Sequence, residues 1–395
     1  VFNPADYKEK PFANSNRCLC TASGRDDACT RCLDVCPVNA IEIHKQSVII
    51  DDDCRKCGLC AAACPTETIS TRRHMPRQVY DKIARAASAY EHCYVTCTRA
   101  LKRLPKDNEI VLGCVGAISR DLWFSLMADY DNISVYLPVG ICDRCKTTTG
   151  EEFYCDAIGT AEEWAQASLG LVADESEMTY ELTREYKRSQ FMSSAVHSAE
   201  RLLTRTNPAL AGAKAVANKI SAHASRLDQL QRTLEGAVGA KTSNNRQRML
   251  TQNRKLVMGA LQHDEGLAKF IDLTAPVCDA SKCTMCGDCA KVCTTRALDL
   301  DVNGHITIQA SYCVSCGACV KVCEDGALAM EPMDVTELIV PDPAAEELAR
   351  KKAQAKAEAQ KYIEQGKKQL SRAADVLEGL GTSDSGANDS KTSKK

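Results

Sequence analysis

The sequence predicts an α+β fold in which two cysteine-rich modules flank a small α/β domain and a long helical arm, followed by a helical and then disordered C-terminal tail. Three observations predict this organisation. A four-cysteine motif recurs near both ends of the chain, strand-like and helix-like segments alternate between them, and a long basic segment contains little Gly or Pro. The expected domains are residues 1–86, 87–172, 173–272, 273–336 and 337–395.

The composition indicates that thiols carry the chemistry of this chain. Its 395 residues include 24 Cys but only 2 Trp and 6 Phe, and most cysteines lie two or three residues apart, unlike those of a small disulfide-rich domain. The formal charge of −2 predicts no nucleic-acid partner. No apolar stretch reaches the roughly 20 residues of a membrane span, and Val1–Lys10 lacks a signal-peptide core. We therefore expect the protein in the cytoplasm or at the cytoplasmic face of a membrane.

One cysteine motif occurs in three regular copies and one irregular copy. The C-x2-C-x2-C-x3-C spacing suits a [4Fe-4S] cluster, because one loop wraps three iron corners and the fourth cysteine reaches elsewhere. A zinc ribbon also uses paired C-x2-C, but needs no third cysteine in each run. The irregular copy has Asp26 as its first residue, and its insert Thr21–Ala28 is expected to reshape the surface for a partner. The regular copies are Cys54, Cys57, Cys60 and Cys64; Cys283, Cys286, Cys289 and Cys293; and Cys313, Cys316, Cys319 and Cys323; the irregular copy has Cys29, Cys32 and Cys36, with Cys18 and Cys20 upstream.

Short alternating segments separate the paired copies. In the first pair they are Ala40–Ile43 and Ser47–Ile50, and in the second Ala297–Leu300 and His305–Ile308. Asn303-Gly304 is a typical turn between two such strands. Each pair of copies is therefore predicted to form one compact module with a β-hairpin.

These motifs resemble those of bacterial two-cluster ferredoxins, in which the fourth cysteine of each motif ligates the other cluster. The resemblance implies two ferredoxin-like dicluster modules and four [4Fe-4S] clusters. Thr294 and Glu324 stand where the family has Pro after the fourth cysteine. The implied ligand sets are Cys283, Cys286, Cys289 and Cys323; Cys313, Cys316, Cys319 and Cys293; Cys54, Cys57, Cys60 and Cys36; and Cys29, Cys32 and Cys64, completed by either Cys18 or Cys20.

The segment between the modules predicts a small α/β domain. Strands are expected at Glu109–Leu112 and Ile133–Leu137, around a helix from Arg120 to Tyr130. Because the carboxyl ends of parallel strands share one edge, Cys114 and the loop Gly140–Cys145 should meet there.

The cysteines of this domain predict an extra centre. Their order, but not their spacing, resembles that of the iron-sulfur delta subunit of methyl-viologen-reducing hydrogenases, and this resemblance implies one [2Fe-2S] cluster. Free buried thiols and a zinc site are the alternatives. The candidate ligands are Cys93, Cys97, Cys114, Cys142 and Cys145, with Cys155 further along the chain.

The helical arm is basic. Between Glu181 and Lys255 there are 14 Lys and Arg against 5 Asp and Glu, and breaks are expected near Asn207-Pro208 and Lys241–Asn245. The charge fits a solvated helix face, docking onto an acidic partner subunit, or contact with an anionic membrane surface. Modest apolar anchoring for a membrane would come from Phe191, Met192, Leu202, Leu203, Leu227, Leu230 and Leu234.

The motifs favour electron transfer over catalysis. The chain has no dinucleotide fingerprint after a strand, no P-loop, no haem C-x-x-C-H and no H-E-x-x-H pair. It is similar to polyferredoxin-type partners of formate dehydrogenases, hydrogenases or heterodisulfide-reductase-like enzymes. This resemblance implies a non-catalytic subunit that relays electrons between other redox subunits. One cluster pair is expected at each end of the arm. Two other classes stay open: an oxidoreductase with a thiol or cluster centre in the middle domain, and a redox sensor or scaffold.

Overall fold

The computed structural model describes residues 1–187 and 209–340, together with positions 350, 351 and 354. Contacts group Val1–Val340 as one unit and Pro341–Lys395 as another. The helix and tail predicted after residue 337 therefore lie largely outside the described residues, as does the part of the arm at 188–208. None of the described helices is long and apolar enough to cross a membrane.

The N-terminal module contains short elements around the first four-cysteine runs. Its two antiparallel strand pairs are β1 with β4 and β2 with β3, and the second pair is the predicted hairpin. The elements are β1 (Phe12–Ala13), α1 (Leu19–Ser23), α2 (Arg31–Asp34), β2 (Ile41–His44), β3 (Ser47–Ile50), α3 (Leu59–Ala63) and β4 (Ile69–Ser70), with 3-10 turns at Pro4–Tyr7 and Ser15–Arg17.

The middle domain is a parallel sheet covered by helices. The strand order is β6-β5-β7-β8, and all three pairings are parallel. Its core includes Trp123, Phe124 and Trp164, and the rings of Phe124 and Trp164 meet edge to face at 5.8 Å. The elements are α4 (Pro76–Ala89), β5 (Cys93–Cys97), β6 (Glu109–Leu112), α5 (Arg120–Asp129), β7 (Ile133–Tyr136), α6 (Gly150–Ala165) and β8 (Gly170–Val172), with 3-10 turns at Val115–Ala117 and Glu175–Glu177.

The strands and the helix predicted for this domain are confirmed within one residue at their ends. All five residues of β5 are buried, as expected for a central parallel strand with both faces covered. Helix α4 lies across the boundary expected after residue 86 and packs on this core.

The described part of the arm packs against the rest of the protein. It consists of α7 (Ala209–Val238) and α8 (Gln252–His263), with a 3-10 turn at Glu265–Phe270. The break predicted near Lys241–Asn245 lies between these helices, and the one predicted near Asn207-Pro208 lies outside the described residues. Leu227, Leu230 and Leu234 recur at helical spacing and are buried in the main core. These three leucines therefore have no free face to offer a membrane, and their assignment as anchors is wrong; the other four proposed anchors lie outside the described residues.

The C-terminal module repeats the architecture of the first. Strands β9 and β12 pair antiparallel, and β10 and β11 form the predicted hairpin with Gly304 in the left-handed region at φ 84°. Its elements are β9 (Thr274–Cys278), α9 (Asp288–Val292), β10 (Leu298–Leu300), β11 (Ile306–Ile308), α10 (Ala318–Val322) and β12 (Leu328–Pro332), with 3-10 turns at Ala310–Tyr312 and Val335–Leu338.

The two modules touch, although they lie at opposite ends of the described sequence. The Lys321 ammonium donates hydrogen bonds to the carbonyls of Asp27 and Ala28, both at 3.1 Å. The Arg25 guanidinium donates to the carbonyl of Lys321 at 3.3 Å, across 296 residues of sequence. The arm was expected to hold the two cluster pairs apart, and this is wrong, because the modules are in contact. The insert Thr21–Ala28 provides part of that contact.

Candidate cluster-binding sites

The three regular cysteine loops share one backbone conformation. In each loop the residue before the second cysteine and the glycine after it have positive φ angles: Lys56 and Gly58 at 56° and 91°, Met285 and Gly287 at 58° and 77°, and Ser315 and Gly317 at 51° and 73°. Left-handed residues curl the loop and turn successive N–H groups toward its inside. A side chain at Gly58 would also place its Cβ 2.7 Å from that of Ala117.

Backbone N–H groups point at the cysteine sulfurs. Within the loops, Lys56 donates to Cys54 Sγ and Met285 to Cys283 Sγ, each at 3.4 Å. Such donors stabilise the charged form of a sulfur ligand.

The fourth cysteine of every copy has its own repeated turn. The N–H four residues later donates to its sulfur at 3.2 to 3.3 Å, and the residue three positions later has positive φ. The turns after Cys293 and Cys323 match those after Cys36 and Cys64, so Thr294 and Glu324 do not alter this conformation. The donors are Ala40, Thr68, Ala297 and Ala327, and the left-handed residues are Asn39, Glu67, Arg296 and Gly326.

The N-terminal module encloses two cysteine-lined cavities. One is lined by Cys36, Cys54, Cys57 and Cys60, so the fourth cysteine of the irregular copy joins three from the regular copy. The other is lined by Cys18, Cys29, Cys32 and Cys64. This is the crossed grouping that the resemblance implied.

The structure distinguishes the two upstream cysteines. Cys18 lies on the wall of the second cavity, whereas the Cys20 thiol donates a hydrogen bond to the carbonyl of Cys29 at 3.1 Å and does not line that cavity. Desolvation, followed by the nearby Cys64, Cys29 and Cys18, raises the pKa of the Cys32 thiol to about 12. Of the two, Cys18 is thus the thiol that lines the cavity with Cys29, Cys32 and Cys64.

In the C-terminal module the pKa values of the thiols point to the same neighbours, and Cys283 and Cys323 both act on Cys278. Burial raises the pKa of the Cys319 thiol to about 12, with further contributions from Cys316, Cys313 and Cys293. Burial likewise raises the pKa of Cys289 to about 11, with contributions from Cys286 and Cys283. Thiols in such surroundings keep their protons until a metal displaces them, so cluster insertion must release protons.

Sequence reasoning missed Cys278, which lies beside the last of these groups. It ends β9 opposite Leu328, and the neighbouring Cys283 and Cys323 raise the pKa of its thiol after desolvation. The available signal was a strand that ends five residues before a cysteine run, because such a strand delivers its last side chain to the loop.

The middle domain brings four of its five predicted cysteines to one edge of the sheet. Cys97 ends β5, Cys114 follows β6, and Cys142 and Cys145 follow β7. Burial raises the pKa of the Cys114 thiol to about 12, and Cys97, Cys57 and Cys145 raise it further. The Arg99 guanidinium donates to the carbonyl of Ile141 at 3.0 Å and ties the last loop to the end of β5.

Cys93 does not belong to this group. It starts β5, so four residues of extended chain, about 13 Å, separate it from Cys97. Its buried thiol donates to the carbonyl of Ile83 at 3.9 Å. Cys155 lies on α6 and is exposed.

The middle cysteines adjoin the N-terminal module. A Cβ atom on Gly113 would lie 2.5 Å from the carbonyl oxygen of Lys56, so the loop of Cys114 packs directly on the loop of Cys57. Only glycine permits this approach. The two cysteine groups are therefore immediate neighbours.

The thiols fit clusters better than single metal ions. Within the described ranges, no three His, Cys, Asp or Glu side chains are close enough to hold one metal ion. The cysteines instead surround cavities from different loops, with N–H donors aimed at the sulfurs, which suits a larger inorganic core.

Known proteins show the same motifs. A family model described as a 4Fe-4S dicluster domain matches residues 27–68 and 282–327. A ferredoxin of Methanothermococcus thermolithotrophicus is 35% identical over 46 residues, which is 11% of this chain and 77% of that protein. No solved structure gives a significant match. With cysteine loops of this geometry and a relative matched over most of its length, the chain belongs to the ferredoxin family of iron-sulfur electron carriers.

Proposed function

We propose that this protein relays electrons through four [4Fe-4S] clusters and a fifth, [2Fe-2S] centre in the middle domain, between subunits of a larger redox enzyme complex. The observation that carries the proposal is the contiguity of its cysteine groups. The order is Cys97, Cys114, Cys142 and Cys145; then Cys36, Cys54, Cys57 and Cys60; then Cys18, Cys29, Cys32 and Cys64; then Cys293, Cys313, Cys316 and Cys319; and last Cys283, Cys286, Cys289 and Cys323.

Neighbouring groups support each step of this order. Cys114 interacts with Cys57, Cys60 with Cys32, and Cys319 with Cys289. Between the modules, Cys316 interacts with Arg31, which lies between Cys29 and Cys32 in the sequence. A bound cluster would supply one-electron storage at each position. The chain's own part is to fix the positions, exclude water through buried thiols and stabilise added negative charge with N–H donors.

Both ends of this route reach the surface. At one end Cys286 is exposed, and its neighbour Met285 is 48% exposed. Val302, in the turn whose Gly304 lies next to Met285, is 101% exposed. At the other end, Val139 in the loop of Cys142 is 92% exposed. Exposed apolar residues next to terminal redox centres fit docking of two different partners.

Charge indicates the kind of partner at the Cys286 end. Exposed or half-exposed carboxylates surround it and outnumber the nearby Lys282 and Lys291, so the matching surface should be basic around an apolar centre. The carboxylates are Asp279, Asp288, Asp301 and Asp325. A formate dehydrogenase, hydrogenase or heterodisulfide-reductase-like assembly in the cytoplasm is the proposed setting, and the delta-subunit resemblance of the middle domain supports it.

Metal analysis tests the proposal. We expect about 18 iron atoms and a similar amount of sulfide per chain, from four [4Fe-4S] clusters and one [2Fe-2S] cluster. Cys114→Ser should remove about two irons and leave the [4Fe-4S] electron paramagnetic resonance signals unchanged. The matched control Cys93→Ser should retain all iron, because Cys93 lies at the other end of β5. About 16 irons in the wild type, with zinc or free thiols at Cys114, would refute the fifth centre.

A further inference from the structure

Arg254 is buried at the junction of the two modules. It lies in the first turn of α8, where the Thr251 hydroxyl caps the helix by accepting from the Arg254 N–H at 3.3 Å. Arg254 is only 4% exposed, and its Nη2 donates a hydrogen bond to the carbonyl of Cys313 at 2.5 Å. The same residue lines a cleft of about 480 Å³ between Cys64 of one module and Ser315 of the other.

The charge of Arg254 has no carboxylate partner. Its Nε has no hydrogen-bond partner, and among the described residues no carboxylate lies within 4 Å of the guanidinium. Asp121 attracts it from farther away, but Asp121 already pairs with Arg120 at 3.3 Å. By contrast, the buried Arg248 pairs with Asp299 at 3.3 Å.

An unpaired buried guanidinium needs a counter-charge. Arginine stays protonated in proteins, and burying an uncompensated charge is strongly unfavourable. The candidate cluster ligand that Arg254 adjoins is Cys313, whose backbone carbonyl accepts its hydrogen bond. With a cluster bound, the thiolates and sulfides together outweigh the iron charge, and reduction adds one further negative charge.

We propose that Arg254 is the buried counter-charge of the cluster held by Cys293, Cys313, Cys316 and Cys319, and that it raises the reduction potential of this cluster. A fixed cation in a poorly solvated site favours the reduced form, because a low effective dielectric strengthens the attraction. This inference rests on the proposed function, since it requires that cluster.

Helix α8 places this cation where electrons cross between modules. The N–H of Asn253 donates to Glu67 Oε1 at 2.9 Å, and Glu67 belongs to the turn that follows Cys64. The next residue, Arg254, contacts Cys313 in the other module. The first turn of α8 thus contacts a cluster loop of each module, through Glu67 and through Cys313. At this position Arg254 favours electron transfer across the junction toward the Cys313 cluster.

Potentiometric titration followed by electron paramagnetic resonance tests this role in the full-length holoprotein. Arg254→Gln should lower the reduced-to-oxidised ratio of one cluster at least tenfold at a fixed potential, equivalent to about 59 mV for a one-electron couple. Arg254→Lys, which keeps the charge, should change that ratio less than threefold. Arg31→Gln is the matched control, because Arg31 also acts on a thiol of this group, Cys316, but is exposed and screened by solvent.

Several results would overturn the proposal. They are a shift in Arg254→Lys as large as in Arg254→Gln, an equal shift in Arg31→Gln, or no shift in Arg254→Gln. A wild-type potential that changes saturably with phosphate at constant ionic strength would show that Arg254 binds an anion from the cleft instead. If Arg254→Gln does not assemble, Arg254→Met fills the buried space without a charged or polar group, and an unchanged potential in that variant counts against the proposal.

The cluster itself is checked separately. Iron that does not fall in Cys313→Ser would mean that the proposed function fails at this site. A normal iron content in Arg254→Gln without a shifted potential would mean that only the role of Arg254 fails.

Discussion

Replacing Cys18 or Cys20 by alanine should give opposite results, although both thiols are buried and only two residues apart. Cys18 lines the cavity with Cys29, Cys32 and Cys64. Cys20 instead donates to the carbonyl of Cys29 at 3.1 Å. The Cys18→Ala protein should lose a cluster ligand, whereas the Cys20→Ala protein should lose only a hydrogen bond and a small side chain.

The expected magnitudes follow from these contacts. Without Cys18 three thiols remain, so the site should lose between about one iron, leaving a three-iron form, and about four, leaving no cluster. Without Cys20 the iron content should not change, and the unfolding free energy should fall by about 1 kcal/mol for one neutral hydrogen bond, with a small cavity adding to it.

Iron and sulfide analysis with electron paramagnetic resonance measures the first effect, and thermal or denaturant unfolding measures the second. A Cys20→Ala protein that loses iron while Cys18→Ala retains it would refute the assignment. Full iron in both single variants but not in the double variant would mean that either thiol completes the site.

Three further predictions concern the crossed ligands, the module junction and the arm. Cys293→Ser should damage the cluster of Cys313, Cys316 and Cys319; electron paramagnetic signals showing loss of only the Cys283 cluster would refute crossed ligation. Lys321→Met should weaken the junction by about 1 kcal/mol after allowance for solvent screening, seen as faster amide exchange near Ala28, and equal exchange in Lys282→Met would contradict this. Leu227→Ala should lower the unfolding free energy by about 2–5 kcal/mol with iron unchanged, whereas the control Leu171→Ala, at a 78% exposed position, should stay within about 0.5 kcal/mol.

Features set by local sequence could be predicted. The cysteine loops, the hairpin with Gly304 and the parallel strands depend on residues a few positions apart, and the structure has them where expected. The meeting of Cys114 with Cys142 and Cys145 also followed, because parallel strands deliver their carboxyl ends to one edge.

Features set by long-range packing could not be predicted from the sequence. The module junction rests on backbone carbonyls of Asp27 and Ala28, which carry no side-chain signature. The choice between Cys18 and Cys20 depends on which thiol faces a cavity that four separate segments enclose. Cys93 was grouped with Cys97 by proximity in sequence, although the strand between them places the two thiols at opposite edges.

The contacts that join the cysteine groups argue for a relay of fixed geometry. The loop of Cys114 can approach the loop of Cys57 only because residue 113 is glycine, and the start of α8 links Glu67 in one module to Cys313 in the other. Neither contact involves the sulfur of a candidate ligand, so neither is needed to hold a cluster in its own loop. Their effect is to set the spacing between groups, and a protein that only stored or sensed electrons at separate clusters would not require that spacing. The packing between groups therefore favours transfer along the whole route over the sensor or scaffold alternative.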